Sequence, residues 1–423
     1  MKKLILLFSM LCFMAKIAAQ DVQKLYDERN YIALSHLNIE NWESDGFSNS
    51  FIKANTFNAM ARFEESNKEM EFLLTTNEAK ENSYLMIALL TLQADNYVKM
   101  FQYKQAAETY KNILNNYGDL LEEAKWSYQN IVRHHSALSN AEPLRVDIPC
   151  NTKIQMTQDK KGLPQVLVRT PNDTVSLIFD TGAGMSTVTE NIANRLGIKI
   201  LADSLIGAGI TANTEYMKIG IADTLYLGDI LYTNVVFGIF KDDKMTFPEH
   251  DYIINGTFGF PEMRVLPAIK IHKNGILEVH KSTEQYKSNM MFTNIQQIII
   301  QINDSLLFWL DTGARESSLS VNYYNKNKEL IDKTSELTTK TVGGMGSSKE
   351  FPIYILKDFP VKINTTTTML PEMPAFTQST FVFQSEYDGT LGQNVISQYD
   401  YMLLDFKNMY FSLENEKEKT SIN

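Results

Sequence analysis

Val166-Leu-Val-Arg-Thr-Pro-Asn-Asp-Thr-Val-Ser-Leu-Ile-Phe-Asp180-Thr-Gly-Ala-Gly184 and Ile298-Ile-Ile-Gln-Ile-Asn-Asp-Ser-Leu-Leu-Phe-Trp-Leu-Asp311-Thr-Gly-Ala-Arg315 decide the fold. Each reads as a strand, a polar turn, a second apolar strand and then Asp-Thr-Gly-Ala. The aspartates stand 131 residues apart, from Asp180 to Asp311. An echo follows each motif. Asn255-Gly-Thr-Phe-Gly259 precedes strand patterns at Ala268–His272 and Ile276–His280, and Asp388-Gly-Thr-Leu-Gly392 precedes Tyr401–Phe406 and Met409–Leu413. One such tetrapeptide in 423 residues is a weak signal, but two in matching surroundings predict a duplicated β-rich unit, spanning 146–283 and 284–415.

These residue types suit hydrolysis by an activated water. Two carboxylates held close can share one proton, because both ionise together only at high cost. One then serves as general base while the protonated one polarises a carbonyl. The apolar run before each aspartate predicts a core strand that delivers the carboxylate at its end. Thr181 and Thr312 are placed to bond the opposite unit's backbone, and Gly182 and Gly313 to let backbone amides approach the carboxylates. Phe258-Gly259 and Leu391-Gly392 are expected to pass beneath the aspartate loops, where a side chain on the glycine would collide.

Over roughly residues 150–413 the chain resembles the retropepsin-like aspartic proteases, with two lobes fused as in pepsin-like enzymes. The Asp-Thr-Gly-Ala loops match at all four positions in both lobes, with Ala183 and Ala314 closing them, and the apolar-Gly element matches loosely. The resemblance implies an all-β bilobal acid-protease fold, Asp180 and Asp311 as the catalytic pair, and a β-hairpin flap over a peptide or protein substrate. Flap candidates are Ile206-Gly207-Ala-Gly209 and Val342-Gly343-Gly344-Met-Gly346, the second nearer the glycine-rich family pattern. After Gly259 the first lobe departs, with Phe260-Pro261 where the second has Gln393-Asn394; a short helix is still expected, since Pro is tolerated at a first helical position. Ala183 and Ala314 offer no hydroxyl to a carboxylate, which predicts a pH optimum less acidic than that of gastric-type enzymes.

Before the β-rich region, residues 20–145 read as helical. Tyr84–Lys99, Tyr103–Tyr117 and Glu122–Leu138 carry apolar residues at spacings of three and four, broken at Gly118-Asp119. Tyr103-Lys-Gln-Ala106-Ala107-Glu-Thr-Tyr110 resembles a tetratricopeptide repeat, and Phe51–Phe63 with Ser66–Leu74 reads as a degenerate earlier pair. Such a domain is expected to present substrate, bind a protein partner or gate a cleft. The last residues, 416–423, form a charged tail.

Lys2-Lys3, an apolar run from Leu4 to Ala15 and Ala18-Ala19 predict a signal peptide over 1–19, hence a periplasmic or secreted protein. The run is short for a bilayer span, so the mature chain is expected to lack one. Cys12 follows the large Leu11, against a lipoprotein site; Cys150 then remains alone, with no internal disulfide to form. A net charge of -10 disfavours a general nucleic-acid role. Gly207-Ala-Gly209-Ile-Thr-Ala212 mimics a dinucleotide fingerprint, but strand-like sequence follows where a helix is required. Six scattered histidines lack metal-ligand spacing, and no Gly-x-Ser-x-Gly elbow occurs, so neither a metal, another cofactor nor a serine nucleophile is called for. Each chain carries both aspartates, so a homodimer is not required. The rival expectation is a catalytically inactive protease-fold scaffold that binds peptides or proteins through its helices and cleft.

Overall fold

The computed structural model describes residues 21–39, 46–208, 214–248, 251–281, 284–344, 347–379 and 386–416. A helical region precedes a β-rich region, and a common core spans both. Ile32, Met60, Phe63, Phe101, Tyr103 and Leu138 pack in the same buried cluster as the β-sheet interior.

The helices pair through one recurring turn. Phe47–Ala59 (α1) packs on Phe63–Leu73 (α2), and Ser83–Lys99 (α3) on Tyr103–Tyr117 (α4), with Lys125–Ala137 (α5) following. Ala61 and Phe101 take left-handed φ of 60° and 58°, and Arg29 does the same at 54°. At each turn the next amide reaches back five residues: Asn30 to Leu25, Arg62 to Phe57 and Gln102 to Tyr97, all at 2.8 Å. Ala106 and Ala107, fully buried, permit close helix approach. The α1–α2 pair begins and turns earlier than the sequence predicts: α1 starts at Phe47 and α2 at Phe63. The turn is made by Ala61-Arg62, which carries no Gly or Pro to mark it.

The β-rich region contains two units with one strand order. In the first half the strands are β1 (Pro164–Arg169), β2 (Thr174–Phe179), β3 (Ser186–Thr189), β4 (Lys199–Ala208), β5 (Thr214–Leu227), β6 (Ile230–Phe240) and β7 (Gly256–Phe258). In the second they are β8 (Ile298–Ile302), β9 (Leu306–Leu310), β10 (Ser318–Leu319), β11 (Glu336–Gly344), β12 (Ser347–Ile363), β13 (Thr366–Phe376) and β14 (Gly389–Leu391). β7 lies parallel to β2 and antiparallel to β3, and β3 runs parallel to β6. β14 has the same relations to β9 and β10, and β10 to β13.

The halves differ in closure. Val168 and Arg169 of β1 pair with Leu227 and Tyr226 of β5, closing the first sheet on itself, whereas β8 pairs on that side with Met290–Phe292, the edge of an open sheet. A separate five-stranded sheet joins them, with Ala268–His272 pairing antiparallel to Tyr401–Asp405. Four of its five strands fall within a residue of where the sequence repeat places them, the fifth being Thr152–Gln155, and the helix after Gly259 forms at Phe260–Met263 with Pro at its first turn.

Candidate active site

Each aspartate sits just beyond a buried strand, and the same contacts fix both. Phe179 and Leu310, the residues before them, are fully buried. Asp180 N–H donates to the Phe258 carbonyl at 3.1 Å, and Asp311 N–H to the Leu391 carbonyl at 3.0 Å. Each carboxylate accepts the amide two residues on, from Gly182 and Gly313, at 2.8 Å. Phe260 N–H returns to the Ala183 carbonyl and Gln393 N–H to that of Ala314, both at 2.9 Å. The parallel placement of β7 beside β2, and of β14 beside β9, sets up these bonds.

The threonines lock one loop to the other. Thr181 Oγ1 donates to the Leu310 carbonyl at 2.7 Å and accepts Thr312 N–H at 3.0 Å. Thr312 Oγ1 donates to the Phe179 carbonyl at 2.7 Å and accepts Thr181 N–H at 3.0 Å. Both side chains are buried with every donor and acceptor used. This reciprocal net brings Asp180 and Asp311 face to face within hydrogen-bonding reach. A Cβ on Gly182 would stand 2.8 Å from the Asp311 carboxyl carbon, and one on Gly313 2.8 Å from that of Asp180. Both glycines are thus needed for the close approach.

The carboxyls lie deep in the protein yet keep some surface open to solvent. Burial pushes both above the usual carboxylate range, and the Asp180 charge raises Asp311 further. Backbone amides of Gly182, Ala183, Gly313 and Ala314 pull the other way, and Ala183 and Ala314 bring no side-chain donor. Such a pair titrates as a unit and retains a shared proton to higher pH than a lone aspartate.

Gly259 and Gly392 do pass under these loops. A Cβ on either would meet backbone atoms at 2.8 Å, those of Met185 and Ser186 for Gly259 and of Glu316 for Gly392. Of the flap glycines, Gly207 lies within β4, paired with Glu215, rather than at a hairpin tip. Gly343 and Gly344 end β11, opposite Ser348 and Ser347. Gly209 and Gly346 lie outside the described residues.

The sequence reading passed over several supporting groups. Ser186 Oγ accepts Gly259 N–H at 2.8 Å and donates to Glu262 Oε2 at 2.5 Å. Its counterpart Ser317 accepts Gly392 N–H at 2.9 Å and donates to Asn394 Oδ1 at 2.7 Å. Both serines stand six residues after their aspartate, a repeat visible in the sequence. The partners are not equivalent. Glu262 is buried and its carboxyl is pushed up to about 7, chiefly by burial. Near it Arg264, also enclosed, donates to the Lys99 carbonyl of α3 and lies 4.5 Å over the Phe101 ring. Lys99 itself pairs with Asp95 at 2.7 Å and bonds Asn58 at 2.8 Å. The first aspartate loop is therefore backed by a charged seam from the helical region; the second is backed by a neutral amide. Gln297 further donates from the second half to the Gly182 carbonyl at 2.6 Å, while Gln393 donates to the Thr312 carbonyl at 2.8 Å.

Residues 166–259 match the model of a family described as aspartyl protease. The match falls on the first half, although the second carries the more family-like glycine cluster. No curated protein matches the chain. Among solved structures, a retropepsin-like aspartic protease from Rickettsia conorii is 15% identical, covering 32% of this chain and 91% of its own, with a TM-score of 0.21. Conglutin gamma, a basic 7S globulin from lupine seeds, is 10% identical over 64% of this chain and 96% of its own, TM-score 0.38. Basic 7S globulin from soybean is 13% identical over 63% and 94%, TM-score 0.36. At these scores the overlays carry no argument. The family match takes in the Asp180 loop but not Asp311, and the β-rich region is consistent with an aspartic-protease fold.

Proposed function

We propose that this chain is an aspartic endopeptidase of two fused lobes, 146–283 and 284–415, with Asp180 and Asp311 as its catalytic pair. The observation that carries the reading is the reciprocal Thr181–Thr312 net, which holds two largely buried carboxyls against each other. A water between them gives a proton to the ionised carboxylate as its oxygen attacks the peptide carbonyl carbon. The protonated carboxyl hydrogen-bonds and then protonates the carbonyl oxygen, giving a tetrahedral diol. Collapse of the diol breaks the C–N bond; one carboxyl protonates the departing amine while the other takes a diol proton, restoring the shared-proton pair. Thr181, Gly182, Ala183, Thr312, Gly313 and Ala314 keep the carboxyls in register and supply amide donors. The raised carboxyls support an optimum less acidic than that of gastric-type enzymes.

Residues 20–145 are read as a tetratricopeptide-like domain. The recurrence of one left-handed turn at Arg29, Ala61 and Phe101 supports this. Export to the periplasm or beyond is part of the proposal and rests on residues 1–19 alone; 416–423 is a tail. No helix among the described residues is long and apolar enough to cross a membrane.

The test is cleavage of a mixed peptide pool from pH 3 to 8 by the mature protein, beside Asp180→Asn and Asp311→Asn. Each substitution is expected to remove turnover. Activity surviving in both variants overturns the assignment, and a wild type that binds peptides but cleaves none at any pH supports a scaffold instead.

A further inference from the structure

The helical region touches the β-rich region at a second place, far along the chain from Arg264. Asn130 of α5 donates its side-chain amide to the Ile206 carbonyl at 2.8 Å and accepts Ile206 N–H at 3.1 Å. Ile206 belongs to β4, which pairs on one side with β5 and ends the sheet on the other. An edge strand exposes unpaired N–H and C=O groups. A primary amide has one acceptor and one donor in suitable geometry, so Asn130 fills the place of one residue of a further strand.

α5 is itself fixed. Tyr128 bonds Thr91 of α3 at 2.8 Å, and the His135 ring stacks on Tyr110 of α4. The held residue also lies one step from contacts that lead to the aspartate loop. A Cβ on neighbouring Gly207 would stand 3.0 Å from Met217 Sδ, and one on Gly238 would be 3.3 Å from that sulfur and 3.1 Å from Met185 Sδ. Met185 follows the Asp180 loop directly. The matching edge strand of the second half, β11, has no such holder: among the described residues no hydrogen bond joins a helix to it.

We propose that Asn130 is a positioning residue for the substrate cleft. Through it the helical domain holds β4, the edge strand of the first half's sheet, in place. The cleft part of this inference rests on the protease reading; the holding part does not.

The experiment uses the full chain with Asn130→Ala, Asn130→Asp and Asn130→Gln. Aspartate can still accept from Ile206 N–H but cannot donate to its carbonyl, so it separates the two bonds. Hydrogen exchange resolved to single amides comes first. The Ile206 amide should exchange about fivefold faster in Asn130→Ala, in line with about 1 kcal/mol for one hydrogen bond, less so in Asn130→Asp, and amides of β11–β12 should not change. An Ile206 amide as protected in Asn130→Ala as in wild type overturns the proposal, whether or not any peptide is cleaved. Peptide turnover comes second. KM should rise about fivefold to tenfold with kcat changed less, and Asn130→Gln should recover part of it. Faster exchange at Ile206 with KM and kcat both unmoved overturns the positioning role. Equal loosening of β4 and β11 overturns the asymmetry between the two edge strands.

Discussion

The two aspartate loops are nearly superposable in their bonds and differ in what stands behind them. Around Asp180 and Asp311 four contacts recur: strand amide to neighbouring strand, carboxylate to the amide two residues on, threonine to the opposite backbone, serine to the glycine beneath. One layer out the symmetry stops. Ser186 leans on the buried acid Glu262, with Arg264 and the α3 carbonyl beyond; Ser317 leans on Asn394. What the two halves must do together is symmetric, and what each must do alone is free to differ. The helical region meets both halves, His36 reaching Ser288 and Arg29 reaching Glu386, but its Lys99 carbonyl braces only the first half's loop.

The strongest way to break the symmetric layer is to crowd it from below. Gly259→Ala and Gly392→Ala put a methyl against backbone at 2.8 Å, which cannot swing aside. Each should cost about 3 kcal/mol by denaturant melts, within the range of overpacked cores. A large gap between the two variants would show that one loop bears more of the fold. Crowding from above acts differently. Gly182→Ala and Gly313→Ala press on the opposite carboxyl rather than on backbone. Both should fold with a midpoint close to wild type and lose about 100-fold in cleavage, since misplacement by about 1 Å suffices. Unchanged turnover in either would mean that the close approach is dispensable.

Thr181→Ala and Thr312→Ala each strand a buried amide and a buried carbonyl. About 2 kcal/mol is expected from either, and the double variant should lose less than the sum because both sets of bonds tie the same two loops together. Additive losses measured in a double-mutant cycle would contradict a common net.

The asymmetric layer is probed by pH. Glu262 has its carboxyl raised from 4.5 to about 7, so the folded state holds a proton that the unfolded chain releases. Stability from this group is full below pH 4.5 and falls as pH rises through 7. Glu262→Gln should be neutral at pH 4 and stabilising by about 3 kcal/mol at pH 8, where wild type must bury the charge. Asn394→Ala in the other half should shift stability equally at both pH values. A pH-independent Glu262→Gln effect would place the acid outside this account.

Much of this was legible in the sequence because it is periodic. Apolar runs mark the strands before each aspartate and four strands of the joining sheet to within a residue or two, and the 131-residue repeat pairs them. The glycines at 259 and 392 could be assigned their clearance before any contact was known. The α1–α2 turn was not legible, since Ala61 adopts a left-handed conformation that its side chain does not advertise. Glu262, just after a proline, carries no mark of burial in the sequence; its bond to Ser186, 76 residues upstream, depends on the tertiary fold. Asn130 is one of several polar residues on α5, and its role depends on an edge strand 76 residues away.

The central claim is that Asp180 and Asp311 act as one titrating pair. Carbon-13 NMR of the aspartate side-chain carboxyls across pH, in wild type and in Asp180→Asn, tests it most directly. The account predicts that wild type shows one of the two carboxyls holding its proton well above the usual carboxylate range, and that Asp180→Asn lowers the Asp311 titration by removing the neighbouring charge. Two independent titrations near pH 4 in wild type, with Asp311 unmoved in Asp180→Asn, would contradict it.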